Sequence, residues 1–305
     1  MNPPEERKQG LAALSWRSLT GSTLPVLTEL AGACLAADGG QPFAASPAFL
    51  SRCYLDGAET LAGFAGGDLV CATSLRRPPA DSPAASGSAA VTTGMVHPAW
   101  RRRGIGGHSF DWARSRAGPD GVRAETEALG DGAHALYLSR GLSQVFAEDV
   151  MQLPATEQIP AAFPPCGLVL SSWGQADPAR FYATYHAAFR ERPGFPGWPQ
   201  ERWTEWITDD EDFRAEWALL ATLDGVDVAF IAGAATGWIT QVGVIPTARG
   251  QDIGASLISE VVARMRVAGE TVITLNVNVN NPHAAALYRR LGFTRAGRRA
   301  RYQAA

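Results

Sequence analysis

Apolar positions along the chain switch between helical and strand spacing in a fixed order. Residues 11–19 predict a short strand. Leu24, Leu27, Leu30, Ala31 and Leu35 then recur at helical spacing and predict a helix over residues 23–37, with a second helix over 46–55. Residues 59–75 alternate around Gly63, Gly66 and Gly67, as two strands joined by a tight turn do. The Pro-, Ser- and Ala-rich stretch 76–88 reads as a surface loop. A strand ending at Val96, a turn over 101–106 and a helix carrying Phe110, Trp112 and Ala113 follow. The second half predicts a strand at 168–173, a helix at 178–189 with Asp177 as its N-cap, and strands at 219–223, 226–234 and 238–244. Its organising stretch is 244–293: a strand end, a glycine-bearing turn opening a helix, an alternating strand, and a short helix closed by Tyr288, Gly292 and Phe293.

The two halves are copies. Val96, Pro98, Arg101, Ile105 and Gly106 each lie 148 residues before Val244, Pro246, Arg249, Ile253 and Gly254. Tyr137 and Gly141 lie 151 residues before Tyr288 and Gly292. A near-constant offset of this size is the duplication of a whole domain rather than a short solenoid repeat. Four prolines between residues 154 and 165 mark a linker. The chain is therefore divided as a first domain over 1–153, a linker over 154–166 and a second domain over 167–305, in keeping with a length of 305 residues.

Composition narrows the class. With 46% apolar and 19% charged residues the chain is ordinary globular material, and a formal net charge of -3 argues against a nucleic-acid partner. Cys34, Cys53, Cys71 and Cys166 form no C-x-x-C pair and sit in no histidine cluster, so neither a metal site nor a disulfide framework is expected. The polar start has no signal core, and no apolar run approaches the ~18 residues of a membrane span. A cytoplasmic protein is the expectation.

The candidate chemistry lies at the duplicated turns. Arg249, Gly250, Gly254 and Ala255, and in the first half Arg101, Arg103, Gly104 and Gly106, stand where a strand gives way to a helix. Free backbone N–H groups and the positive end of the helix dipole meet there, which suits a phosphate. The alternatives are a tight connection in the second half and a solvated basic turn in the first. A dinucleotide site is disfavoured, because the second turn lacks G-x-G-x-x-G spacing and no acidic residue ends the next strand. Phe195, Trp198, Trp203, Trp206 and Trp217 surround the acidic run 209–212. They are either packing or the aromatic walls of an acceptor pocket, for which Trp198, Trp203 and Trp206 are named.

Leu275, Val277, Asn281, Ala284, Leu287, Tyr288, Gly292 and Phe293 reproduce the closing pattern L-x-V-x-x-x-N-x-x-A-x-x-L-Y-x-x-x-G-F, and Val244, Pro246, Arg249 and Gly254 most of the turn before it. On these residues the second half resembles a GNAT superfamily acetyltransferase. Asp252 stands where that family has glycine, and a carboxylate there faces the diphosphate unless it turns outward. The first half has the full turn in Arg101, Gly104 and Gly106, but keeps only Ala133, Tyr137 and Gly141 of the closing pattern, with Gly130 for the asparagine and Leu142 for the phenylalanine. Among tandem members the layout is similar to the mycothiol synthases, in which the second domain carries the chemistry.

The resemblance implies an α/β fold of two tandem GNAT-like domains, each a mixed, mostly antiparallel sheet flanked by helices, with a splayed central strand pair. It implies acetyl-coenzyme A as cofactor, held by Val242, Val244, Arg249, Gly250, Gly254, Ala255 and Asn281, and in the first half by Arg101, Arg103, Gly104 and Gly106. It implies transfer to the primary amine of a small molecule, with no nucleic acid, membrane or metal involved. Tyr288 is the catalytic candidate. A phenol of pKa about 10 is protonated at neutral pH and can hand its proton to a departing thiolate; the alternative is a tyrosine that packs a helix on the sheet. No general base is visible: Thr240 and Gln241 occupy its neighbourhood, and Glu205, Glu216, Asp227, His186 and His283 are candidates only. Asn276 and Asn278 either line the splayed gap or cover a solvated face. The first half, without the asparagine or an acid on its preceding strand, reads as non-catalytic. The rival function is a regulator that binds acyl-coenzyme A without turnover.

Overall fold

The computed structural model describes residues 11–77, 89–192, 195–209 and 211–304. The polar N-terminal ten residues and most of the expected 76–88 loop lie outside the described residues, as does Asp210 of the acidic run. The chain forms two compact units, one of Met1–Val150 with Ala296–Ala305 and one of Met151–Arg295. No helix among the described residues is long and apolar enough to cross a membrane.

Unit 1 begins with β1 (Ser15–Arg17), α1 (Leu24–Asp38) and α2 (Pro47–Tyr54). Ser46 caps α2 by accepting from the Phe49 N–H at 3.3 Å, and Pro47 takes the first helical position, where no N–H is needed. β2 (Glu59–Ala65) and β3 (Asp68–Arg76) form a hairpin across Gly66 and Gly67, whose φ of 58° and 112° supply the two positive dihedrals that a tight hairpin turn demands. β4 (Ala90–Val96), α3 (Ile105–Arg116), β5 (Val122–Thr126) and α4 (Asp131–Ser139) follow, then β6 (Leu142–Pro154), in which the chain leaves the unit. Leu27, Leu30, Ala31 and Cys34 of α1 pack with Leu50, Cys53 and Tyr54 of α2 on one sheet face. Ile105 of α3 packs with Val70 and Cys71 on the other.

Unit 2 repeats the plan with β7 (Val169–Ser172), α5 (Pro178–Phe189), α6 (Gln200–Thr208), β8 (Leu219–Leu223), β9 (Val226–Ala234), β10 (Trp238–Val244), α7 (Ile253–Val267), β11 (Val272–Asn278) and α8 (Pro282–Arg290). Asp177 caps α5 by accepting from the Ala179 N–H at 2.8 Å. Ile253, Leu257, Ile258, Val261, Val262 and Met265 make α7 the apolar spine of this unit, packed on Ile239, Ile273, Leu275 and Val277. The opposite face carries an aromatic cluster around Phe181, Tyr185, Trp203 and Phe230.

Among the described residues each unit holds a parallel strand pair at its centre, and each pair separates. β4 lies beside β5 only from Ala90↔Val122 to Thr92↔Ala124, while its antiparallel ladder with β3 continues to Val96↔Cys71. β10 meets β11 only at Trp238↔Thr274 and Ile239↔Leu275, then slips one residue against β9 between Ile239 and Gln241. The extra residue, Thr240, is a bulge, and bulges bend a strand away from its neighbour. The mixed sheet with a splayed central pair is the expected GNAT fold, present twice.

The last strand, β12 (Thr294–Ala304), crosses back. The sequence reading placed 296–305 with the second half, whereas these residues ladder against β5 of unit 1, with Ala300↔Thr126, Arg301↔Glu125 and Tyr302↔Ala124. Tyr302 is wholly buried; its hydroxyl donates to Gln144 Oε1 at 3.0 Å and lies 2.6 Å from His134 Nδ1. A Cβ on Gly297 would stand 2.1 Å from the Gly40 nitrogen, so only glycine permits the approach.

Candidate active sites

The two turns superimpose in their bonding as well as their sequence. In unit 1, Arg101 Nε donates to the Val96 carbonyl at 3.1 Å, and its two terminal nitrogens grip Asp38 at 2.7 Å each. In unit 2, Arg249 Nε donates to the Val244 carbonyl at 3.2 Å and Nη2 to the Ala188 carbonyl at 3.1 Å. Both arginines fold back and brace the end of the central strand. Arg103 lies over the Trp100 ring at 4.7 Å and donates to the Ala99 carbonyl. His97 accepts from the Ala99 N–H at 3.2 Å, a local cap. The partner Asp38 was not legible in the sequence, because the contact spans 63 residues.

Gly104 (φ 83°) and Asp252 (φ 54°) are the left-handed N-caps of α3 and α7. At Gly106 and Gly254 an added Cβ would make ordinary contacts, 3.5 Å from Leu136 in the first case and 3.4 Å from Val244 in the second, so packing within the unit does not by itself demand glycine. Ala255 is buried beside Gly254, Val242 and Val244 pack against the unit 2 core, and Gly250 takes φ 79°. The left-handed cap explains the glycine at this place in the family, and aspartate is among the few other residues that tolerate it. Asp252 makes no side-chain cap. Its carboxylate accepts from Arg290 Nη2 at 2.7 Å, and that bond holds it below the usual carboxylate range.

Around the unit 2 splay, the asparagines divide by task. Asn281 caps α8, accepting from the Ala284 N–H at 3.1 Å, and Asn278 accepts from the Asn280 N–H at 3.0 Å. Ile273, Leu275 and Val277 face the α7 core, so the alternation of strand side chains turns Asn276 to the opposite face. There Asn276 Oδ1 and Gln241 Oε1 are both buried with no hydrogen-bond partner among the described residues. Two orphaned acceptors on neighbouring strands that part company invite a donor from outside the protein. Tyr288 is buried on α8, its ring 6.2 Å from that of Phe293.

The remaining candidates separate cleanly. Trp203 is 0% exposed and stacks on Tyr185 at 4.9 Å, so it packs the aromatic cluster and forms no pocket wall. Trp206 is 48% exposed and meets Trp198 edge-on at 5.6 Å, with Arg202 over the Trp198 ring. Among the base candidates, Asp227 is committed to Arg180 at 2.6 and 2.9 Å and to Thr222, and its carboxyl is held below the usual range by the arginine. His186 is packed against Tyr182 and Phe195, while Glu205, Glu216 and His283 are exposed.

Unit 1 holds a cavity of about 610 Å³. Gly104, Gly106 and Tyr137 line it on the α3 side of the sheet, and Tyr54, Arg76 and Glu127 on the side of α1 and α2. A cavity with walls on both faces passes through the gap where β4 and β5 separate.

Residues 179–293 match the Acetyltransferase (GNAT) family. The chain belongs to the GNAT acetyltransferase family and is an acyltransferase. It is 30% identical over 222 residues to the mycothiol acetyltransferase of Mycolicibacterium smegmatis, covering 70% of this chain and 74% of that protein. It is 28% identical to the mycothiol acetyltransferase of Nocardia farcinica over 91% of this chain and 93% of that one. Among solved structures, a GCN5-related N-acetyltransferase from Sphaerobacter thermophilus is similar at a TM-score of 0.72 and 25% identity, over 95% of both chains. A tandem GNAT protein from the clavulanic acid biosynthesis pathway shares the fold at a TM-score of 0.62 and 19% identity, over 95% of this chain and 97% of that one.

Proposed function

We propose that the protein transfers an acetyl group from acetyl-coenzyme A to the primary amine of a small molecule, and that unit 2 carries this transfer. The observation that bears most weight is the pair of orphaned amide oxygens, Gln241 Oε1 and Asn276 Oδ1, buried at the splay. An ammonium or amide N–H entering the gap satisfies both, and each such bond to a charged donor contributes about 1.5–3 kcal/mol. The relatives' shared name points to a mycothiol-type acceptor.

The turn fits the coenzyme's phosphates through the N–H groups that open α7, and Arg290 sets a cation beside Asp252 at that spot. Acetyl-coenzyme A supplies the thioester. Tyr288 is the proton donor to the departing sulfur, since a phenol of pKa about 10 keeps its proton at neutral pH and can share it with the thiolate as charge develops on the sulfur. The bulge at Thr240 leaves backbone N–H groups of β10 outside the β11 ladder, where they can polarise a carbonyl.

Tyr288→Phe tests the role. Turnover, read as free-thiol release with a panel of amines, is expected to fall about 10²- to 10⁴-fold with acetyl-coenzyme A affinity little changed. Unchanged turnover removes Tyr288 from the chemistry. A second reading, a regulator that binds acyl-coenzyme A without turnover, draws on Asp252 in the turn and on the exposed positions of Glu205, Glu216 and His283. Coenzyme binding with no thiol release from any amine would establish it.

A further inference from the structure

The unit 1 cavity carries groups that the reading of its turn does not use. Ala72 of β3 and Met95 of β4 pack on α1 and α2. By strand alternation Arg76 of β3 shares that face, and the β4–β5 register puts Glu125 there as well, with Glu127 just beyond the end of β5. All three line the cavity. The Arg76 side chain makes no ion pair or hydrogen bond among the described residues, and its Nε is buried without a partner. Glu127 Oε2 is buried with no hydrogen bond, its ion pair with Arg299 being 3.4 Å long. Tyr54 and Tyr137 are 2% and 6% exposed, line the cavity, and have hydroxyls with no hydrogen-bond partner among the described residues. Their hydroxyls open onto the cavity, where a ligand can reach them.

We propose that unit 1 is a second acyl-transfer site, whose acceptor carries an ammonium and a carboxylate, as a free amino acid does. This rests on the acetyl-coenzyme A reading above and extends it to the half that the sequence left without a catalytic role. Arg76 receives the acceptor carboxylate as a two-pronged donor. Glu127 receives the ammonium and takes one proton from it, leaving a neutral amine. The amine nitrogen then bonds to the acyl carbon as the carbon–sulfur bond breaks. Tyr137, at the position equivalent to Tyr288, gives its proton to the sulfur, and the amine's second proton restores the phenol. The products are an amide and a free thiol, and the proton on Glu127 passes to water. Burial raises the Glu127 carboxyl above its ordinary range, which suits a base, and pushes Tyr137 up to about 12, which keeps the donor protonated.

The test uses the full chain, acetyl-coenzyme A, a panel of free α-amino acids and the matching α-amino amides, with thiol release as the readout. Wild type is expected to acetylate at least one free amino acid in preference to its amide. Arg76→Gln should raise KM for the amino acid about 10-fold or more and leave that for the amide unchanged. Glu127→Gln and Tyr137→Phe should each lower kcat for the amino acid about 10²-fold. If the Arg76 or Glu127 variant fails to fold, Arg76→Lys and Glu127→Asp replace it, and calorimetric binding of the amino acid to the wild-type chain with coenzyme A reads the same site. The proposal is overturned if no amino acid is bound or acetylated while other amines are. It is equally overturned if Tyr288→Phe alone abolishes amino-acid turnover and the unit 1 variants do not alter it. Both outcomes leave the unit 2 reading standing; absence of turnover with every amine removes both.

Discussion

Gly104 and Asp252 hold the same left-handed cap in the two units, 148 residues apart, with φ of 83° and 54°. The duplicated turn has kept its backbone and changed its chemistry, exchanging a residue without a side chain for a carboxylate paired with Arg290. An alanine at this cap carries the left-handed penalty of about 1–2 kcal/mol with no polar group to offset it. Thermal unfolding should therefore rank Asp252→Gly above Asp252→Ala. Removing the carboxylate should also tighten acetyl-coenzyme A binding, most clearly at low ionic strength, where charges are least screened. Equal stability of the two variants would show that the cap is not strained.

The C-terminal strand belongs to unit 1, and that predicts a remote effect. Gly297→Ala drives a Cβ to within 2.1 Å of the Gly40 backbone, which cannot yield as a flexible side chain would. A loss of about 2–3 kcal/mol is expected, within the upper range for single substitutions. Truncation after Arg295 removes wholly buried Tyr302 as well. Hydrogen exchange should then show lost protection in β5 and α4 of unit 1, with α7 of unit 2 retained. Loss confined to unit 2 would contradict the strand's placement.

Trp203 and Trp206 are three residues apart and should behave oppositely. Trp203→Ala empties a fully buried site between α5, α6 and Phe230, and is expected to cost about 3–5 kcal/mol. Trp206→Ala removes a half-exposed ring and should change stability by no more than about 0.5 kcal/mol. Denaturant unfolding separates the two. A raised KM for the amine in Trp206→Ala, at unchanged stability, would mark Trp206 as an acceptor contact.

Glu127 gives unit 1 a pH signature. Its carboxyl is raised from an ordinary 4.5 chiefly by burial, opposed by Arg299 and Arg301 and reinforced by Glu125 and Glu148. The folded state thus prefers the protonated acid. Its contribution to stability is fully present below the unfolded value and is lost as pH rises through the folded one. From pH 4.5 upward across that window, wild type should lose stability relative to Glu127→Gln, and the difference should level off above it. A difference of opposite slope would show that the ion pairs outweigh burial, and one of constant size that the two cancel.

The sequence alone determined the two-fold repeat, the strand–turn–helix punctuation and the GNAT pattern. These are local: glycines needed at positive φ, apolar residues at periods of two and 3.6, caps such as Asp177 and Asn281 within three residues of the N–H they satisfy. Tertiary structure decided what each charged or polar side chain faces. It turned Arg101 onto Asp38, Asp252 onto Arg290, and Trp203 into the core. It sent the last strand to the first unit, and it gathered Arg76, Tyr54 and Tyr137 from three elements, and Glu127 from the loop after β5, around one cavity. Such contacts join residues tens to hundreds of positions apart, and their partners are selected by burial and pairing geometry, which leave no periodic trace in the chain.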